Sequence, residues 1–278
     1  DIHLFMTVYD SIEELNRYVG FDNYQEVKQS ILDEAEVKLR RLTDKFGDHF
    51  SSTMHFSSTM HWGRRWHFHV ISEAKKISAD LVIKAVRRHS RIAEFLHTPE
   101  DWHLLRGASC PVWLVNDSTA QIDRVVAAFS TLEETEDHRL LGERVLQKAS
   151  ELATALGAEL HVVSVVPDWL QTQAIVGPVP GMPGQFPAVM AEIGEQALDR
   201  AEEVIQETLE KLAIDADVIE VRSGFVDIEL ADAVGDSGAL VIGSAAARKL
   251  TAKVADKLFG NTSEKVVHHV RGDVLVVH

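Results

Sequence analysis

Short, strongly apolar runs alternate along this chain with longer segments whose apolar residues recur at helical spacing. That alternation restricts the fold to α/β, a mostly parallel sheet with helices on both faces. The second half shows it best. Residues 124–129 read as a buried strand, and the following segment carries an apolar stripe of Leu141, Val145, Ala149, Leu152 and Leu156 that Gly157 stops. Residues 160–166 read as a second strand. A Gly/Pro-rich stretch over 167–187 is predicted to be a loop, and in a compact domain a loop of that length is usually a lid or disordered. A helix with stripe Ile193, Ala197, Ala201, Ile205, Leu209 and Leu212 follows. Then come a strand over 217–221, a helix over Val226–Val234, a strand over Ala239–Gly243, a helix over 262–270 and a strand over Asp273–Val277.

The first half repeats this order. Residues 79–83 answer 238–242 at an offset of 159, and residues 111–115 answer 273–277 at an offset of 162. So long a period marks duplicated domains, because solenoid units run only about 20 to 50 residues. Residues 116–123, polar and unpatterned, are the expected linker, which gives one domain over 1–117 and another over 123–278. Each is expected to be a parallel sheet of order 3-2-1-4-5. Ile2–Val8 corresponds to 160–166, so the first copy opens at its second strand and lacks a counterpart of the first strand and first helix of the second copy. In that order the first strand is central, and its removal would leave a row of ladder donors and acceptors unpaired. The expectation is that the first domain is N-terminally incomplete in this sequence, or that another strand fills its centre.

Residues 49–54 and 55–60 are an identical hexapeptide in tandem, followed by His61 and Trp62. Strands have period two, so an insertion of six keeps Phe50, Met54, Phe56, Met60 and Trp62 on one face. Either copy suffices for the third strand. His49, His55, His61, His67 and His69 share this parity and raise a metal-binding reading of the segment. Spacing opposes it, because strand positions six residues apart lie roughly 20 Å apart. The expectation is therefore no metal site.

Twenty-eight Lys and Arg against 43 Asp and Glu leave a net charge of −15, the wrong sign for a phosphate backbone or an acidic membrane surface. One cysteine, Cys110, excludes an internal disulfide and suits a reducing cytoplasm. No apolar run nears the roughly 18 residues of a spanning helix, so the reading is cytoplasmic, without membrane insertion. No Gly-x-Ser-x-Gly elbow, phosphate-loop motif or Gly-x-Gly-x-x-Gly fingerprint occurs, and no catalytic residue is assigned.

One region carries a mechanism. Gly243 ends the fourth strand, Ser244 follows it, and Gly260, Asn261, Thr262, Ser263 and Glu264 open a helix, with Asn261 and Glu264 at capping-box spacing. Free amides and hydroxyls at a helix start beside the carboxyl edge of a sheet make a seat for an anion. The segments 240–244, 258–266 and 273–277, with 80–84, 98–106 and 110–115 in the first copy, resemble the tandem-domain members of the universal stress protein family. The resemblance covers essentially the whole chain, and the run Thr98, Pro99, Asp101, Trp102, His103, Leu104, Leu105, Arg106 is its narrowest part.

The resemblance implies two adenine-nucleotide-hydrolase-like, Rossmann-like domains. Nucleotide-binding members have Gly-x-x-Gly, about nine residues, then Gly-Ser/Thr, with an Asp at the end of the first strand. Here Gly243 matches the first glycine, Ala246 replaces the second, Gly260 stands 17 positions after Gly243, and the Asp position falls on Phe129 or Ser130. In the first copy no glycine occurs between Ile83 and Gly107, and Arg87, Arg88 and Arg91 form a basic cluster. The implied reading is a non-catalytic stress-response protein that binds a ligand or a protein and has a degenerate nucleotide site at Gly243, Ser244, Gly260, Asn261 and Thr262. ATP would be its cofactor if the site works, giving an ATP-binding module with weak ATPase activity in the second domain. The partners implied are the other half of the chain, through the last strands 111–115 and 273–277, and a second copy as a homodimer. A small apolar ligand under a lid at 175–189 is a further expectation.

Overall fold

The computed structural model describes residues 1–47, 54–86, 99–116, 121–132, 135–166, 186–244 and 261–278. These divide into two compact units, 1–77 and 78–278. In the first unit, strand β1 (Ile2–Val8) pairs in parallel with β2 (Phe56–Trp62), with Ile2 opposite Phe56 and Val8 opposite Trp62. Helices α1 (Ile12–Val19), α2 (Tyr24–Gly47) and α3 (Trp66–Lys76) complete it. Tyr24, Ala35 and Leu39 of α2 are buried, and α2 packs on both strands. Phe56, Met60 and Trp62 alternate along β2, so the second hexapeptide supplies the strand; most of the first lies outside the described residues.

The second unit is a seven-stranded sheet of order β3-β4-β9-β8-β5-β6-β7. Its strands are β3 (Val82–Val86), β4 (Val112–Asn116), β5 (Arg124–Ala128), β6 (Glu159–Val166), β7 (Val218–Ser223), β8 (Ala239–Gly243) and β9 (Asp273–Val277). All neighbours run parallel except β4 and β9, which meet antiparallel with Val112 opposite Val276 and Leu114 opposite Val274. Two sets of strands thus join into one sheet. The helices are α4 (Pro99–Gly107), α5 (Glu136–Leu156), α6 (Phe186–Leu212), α7 (Val226–Val234) and α8 (Asn261–His269).

Helix α5 shows why the sequence folds as it does. Thr135 caps its start by accepting the His138 amide at 3.3 Å, and Gly157 ends it in the left-handed conformation at φ 64°. Val145, Leu146, Ala149 and Ala153 between them are buried against Val125, Ala127, Leu160, Val162 and Val241 of the sheet. Val145 and Leu146 each contribute roughly 1.5–3 kcal/mol by leaving water.

The structure corrects several sequence expectations. Strands β1 and β2 form their own two-stranded sheet, while β3 and β4 belong with the second half, because β4 is laddered to β9. The compact units meet at Ile77/Ser78, a division by compactness distinct from the division by sequence repeat within 116–123. Helix α6 begins at Phe186, so Pro187, expected in the loop, stands in the first helical turn, where proline is tolerated. His67 and His69 lie on α3, so the five histidines do not share one strand.

Candidate functional site

In the run β7-β6-β5-β8-β9 the chain turns one way from β5 and the other way from β8. In open α/β sheets, ligands bind in the crevice outside the carboxyl ends of such a pair. Gly243 ends β8 there, and its geometry is decided by α5. A Cβ on Gly243 would lie 2.8 Å from Leu141 Cγ, so glycine is needed because Leu141 packs onto the strand end. The neighbouring position repeats the device. Phe129, which continues β5 by donating its amide to Val163 at 3.0 Å, is buried with its ring against Gly142, where a Cβ would lie 2.9 Å from Phe129 Cε2. One glycine in the sheet and one in α5 thus each admit an apolar side chain, Gly243 that of Leu141 from α5 and Gly142 that of Phe129 from the end of β5.

The polar groups around this edge are mostly engaged. The Ser244 amide donates to the Val277 carbonyl at 2.8 Å, continuing the β8–β9 ladder. Ser263 Oγ donates to the Gly243 carbonyl at 3.3 Å. Glu264 accepts from Arg106 of α4 at 3.4 Å. Ser244 Oγ is buried and has no hydrogen-bond partner. Asn261 and Thr262 stand in the first turn of α8, whose range starts one residue before the expected helix, so Asn261 is not the residue preceding it. Gly260 and Ala246 lie outside the described residues, as do 175–185 of the expected lid and the first-copy cluster Arg87, Arg88 and Arg91, while 186–189 of that lid belong to α6. The structure thus brings Gly243, Ser244 and Ser263 together.

A triphosphate needs free main-chain amides and open space at the strand end. At this edge Leu141 packs against Gly243, Phe129 packs against Gly142, and the Ser244 amide already has an acceptor. Sequence reading treated Leu141 only as core, and no local pattern marks its contact with Gly243.

In the first copy the corresponding strand is tied to its helix differently. Lys84 of β3 pairs at 2.8 Å with Asp101 in the first turn of α4, and the Asp101 side chain is 3% exposed. The last helices of the two copies also meet reciprocally. Arg106 of α4 reaches Glu264 of α8, and His268 of α8 lies 5.0 Å from Trp102 of α4, ring centre to ring centre. Contacts exchanged in this way are what a two-fold-like interface produces.

Among the described residues, no group of three or more His, Cys, Asp and Glu is placed to hold a metal ion. His61 and His69 stack at 5.1 Å. Buried Glu73 lies 3.8 Å from His3 and 3.9 Å from His61, and the Lys76 ammonium holds its carboxyl below the usual range. No described helix is long and apolar enough to cross a membrane.

A doubly wound α/β sheet with a switch point defines the class of fold. Solved structures of that class include a functionally unknown protein from Pseudomonas aeruginosa PAO1, 22% identical with a TM-score of 0.63, covering 99% of this chain and 82% of that one. Another is a universal stress protein from Archaeoglobus fulgidus DSM 4304, 15% identical with a TM-score of 0.58, covering 98% and 95%. The family model "Universal stress protein family" matches residues 137–278, just over half of the chain, and the chain belongs to that family. Curated relatives include Universal stress protein E of Salmonella typhi, 25% identical over 281 residues, which span 99% of this chain and 84% of the relative. The protein of the same name from Escherichia coli (strain K12) is 24% identical over the same span.

Proposed function

We propose that this protein serves in the stress response by binding a ligand or a protein, without catalysis, and that its second half carries a nucleotide edge closed by its own apolar side chains. The observation that carries the reading is Leu141 packed on Gly243 beside Phe129 packed on Gly142. The two halves act as an internal pair through β4 and β9, with domains over 1–117 and 123–278, and the setting is cytoplasmic. Equilibrium titration of the full chain with ATP and magnesium tests this. No saturable binding is expected at micromolar nucleotide, and tight saturable binding with phosphate release overturns it.

One observation favours a second reading. Ser244 Oγ is buried and unpartnered at the edge where Gly243, Ser244, Gly260, Asn261 and Thr262 would hold an ATP phosphate. In that reading Ser244→Ala weakens nucleotide binding at least tenfold. In the favoured reading it leaves the titration flat.

A further inference from the structure

Three carboxylates are buried among the described residues: Glu73, Asp101 and Asp273. Glu73 meets Lys76 at 3.0 Å and Asp101 meets Lys84 at 2.8 Å. Among the described residues Asp273, 6% exposed, meets no cation. Its two oxygens accept from neutral donors, Oδ1 from the Asn116 amide at 2.9 Å and Oδ2 from the Trp113 indole at 3.1 Å. Burial pushes this carboxyl up, and the Asn116 and Trp113 hydrogen bonds pull it back down only in part. Buried charges are ordinarily paired, because two neutral donors do not replace the solvation that water gave.

Asp273 lines a cleft of about 330 Å³ together with Trp113, Asn116, Ile122, Leu156 and Asp236. Asn116 is also 6% exposed. Its amide nitrogen donates to the carbonyls of Arg271, at 3.0 Å, and Gly272, while its Oδ1 has no partner. Asp236 is approached by Arg271 at 3.6 Å, and both are exposed. The cleft therefore offers a buried carboxylate without a cation and a carbonyl oxygen without a donor, between aromatic and aliphatic walls. A hydrated inorganic ion uses the acceptors but gains nothing from Ile122, Leu156 and Trp113. A chain-wide charge of −15 raises the local concentration of any cation.

We propose that this cleft binds a small aliphatic ammonium compound, its charged end on Asp273 and Asn116 Oδ1 and its methylenes against Trp113, Ile122 and Leu156. The site is independent of the Gly243 edge. Calorimetry of the full chain tests it, with 1,4-diaminobutane as the probe and potassium, magnesium and tetramethylammonium chlorides at matched ionic strength as controls. Saturable one-to-one binding of the diamine is expected, at least tenfold weaker in Asp273→Asn, with none for the controls. Ser237→Lys places a tethered ammonium on the cleft wall and reports even if Asp273→Asn fails to fold. It is expected to weaken the diamine at least tenfold in a variant that still unfolds cooperatively, although it gives up the Ser237 hydroxyl's bond to Asp123 at 3.0 Å. Absent diamine binding, equal affinity in Ser237→Lys, or saturable binding of a control salt overturns the proposal.

Discussion

Strands β3 and β8 occupy corresponding places in the two copies and are tied to their last helices by different chemistry. Lys84 and Gly243 stand 159 residues apart, Asp101 and Ser263 162 apart, and each strand is bonded to the first turn of the last helix, from the middle of β3 at Lys84 and from the end of β8 at Gly243. The first copy makes that bond with an ion pair, so an anion already sits at the start of α4, where a helix favours negative charge. The second makes it with a hydroxyl on a carbonyl and fills the remaining space with Leu141. The lesson is that one inherited edge has been closed twice, once by charge and once by apolar packing.

The largest effect is expected where charge does the closing. Lys84→Met leaves the Asp101 carboxylate buried without this partner and is expected to cost about 3 kcal/mol in urea unfolding. A cost under 1 kcal/mol would show that the pair is not what holds β3 to α4. At the other edge, Gly243→Ala is expected to lose about 2 kcal/mol through overpacking against Leu141. The double variant Gly243→Ala with Leu141→Ala should lose clearly less than the sum of the two singles. Strict additivity would separate the two residues.

A third comparison is in pH. Glu143 accepts from Lys211 and Arg139, and those hydrogen bonds, Lys211's foremost, set its carboxyl below the usual 4.5. Its stabilising effect is therefore present above the unfolded value and is lost as pH falls through the folded one. Asp273 runs the other way. Its carboxyl is raised by burial, so its contribution is fullest below the unfolded value of 3.8 and fades as pH rises through the folded one. Stability profiles of Glu143→Gln and Asp273→Asn against wild type are expected to diverge with opposite sign over that acid range. Profiles of the same sign would refute the burial argument for Asp273. The smallest effect is that of Ser263→Ala, about 0.5–1 kcal/mol for a neutral hydrogen bond, read from the same unfolding curves.

How much of this was legible follows from where each signal lives. The strands at Ala239–Gly243 and Asp273–Val277 and the helix Val226–Val234 were readable to the residue, since each is a local run bounded by its own breakers. So was the stop at Gly157, because a left-handed end asks for glycine locally. Leu141 on Gly243, Lys84 on Asp101 and the Asn116–Asp273 pair were not readable. They join residues 17 to 157 positions apart, and no periodicity encodes which partner a buried group will meet. The repeat offsets were the one clue, since they set Lys84 against Gly243 and Asp101 against Ser263 before any coordinate was known. Helices α1 and α2 were passed over as well. Leu15, Tyr18 and Val19 of α1 are exposed, so its apolar residues do not trace a simple buried stripe.

Strand β9 has β8 on one side and β4 on the other, so both of its edges are satisfied within a single polypeptide. Two separate molecules joined by such a seam would come apart on dilution. Here the tether between the halves keeps their effective concentration high however scarce the protein becomes. A cell holding a few copies would have every one of them paired, and the level of expression could not be used to switch that pairing on or off.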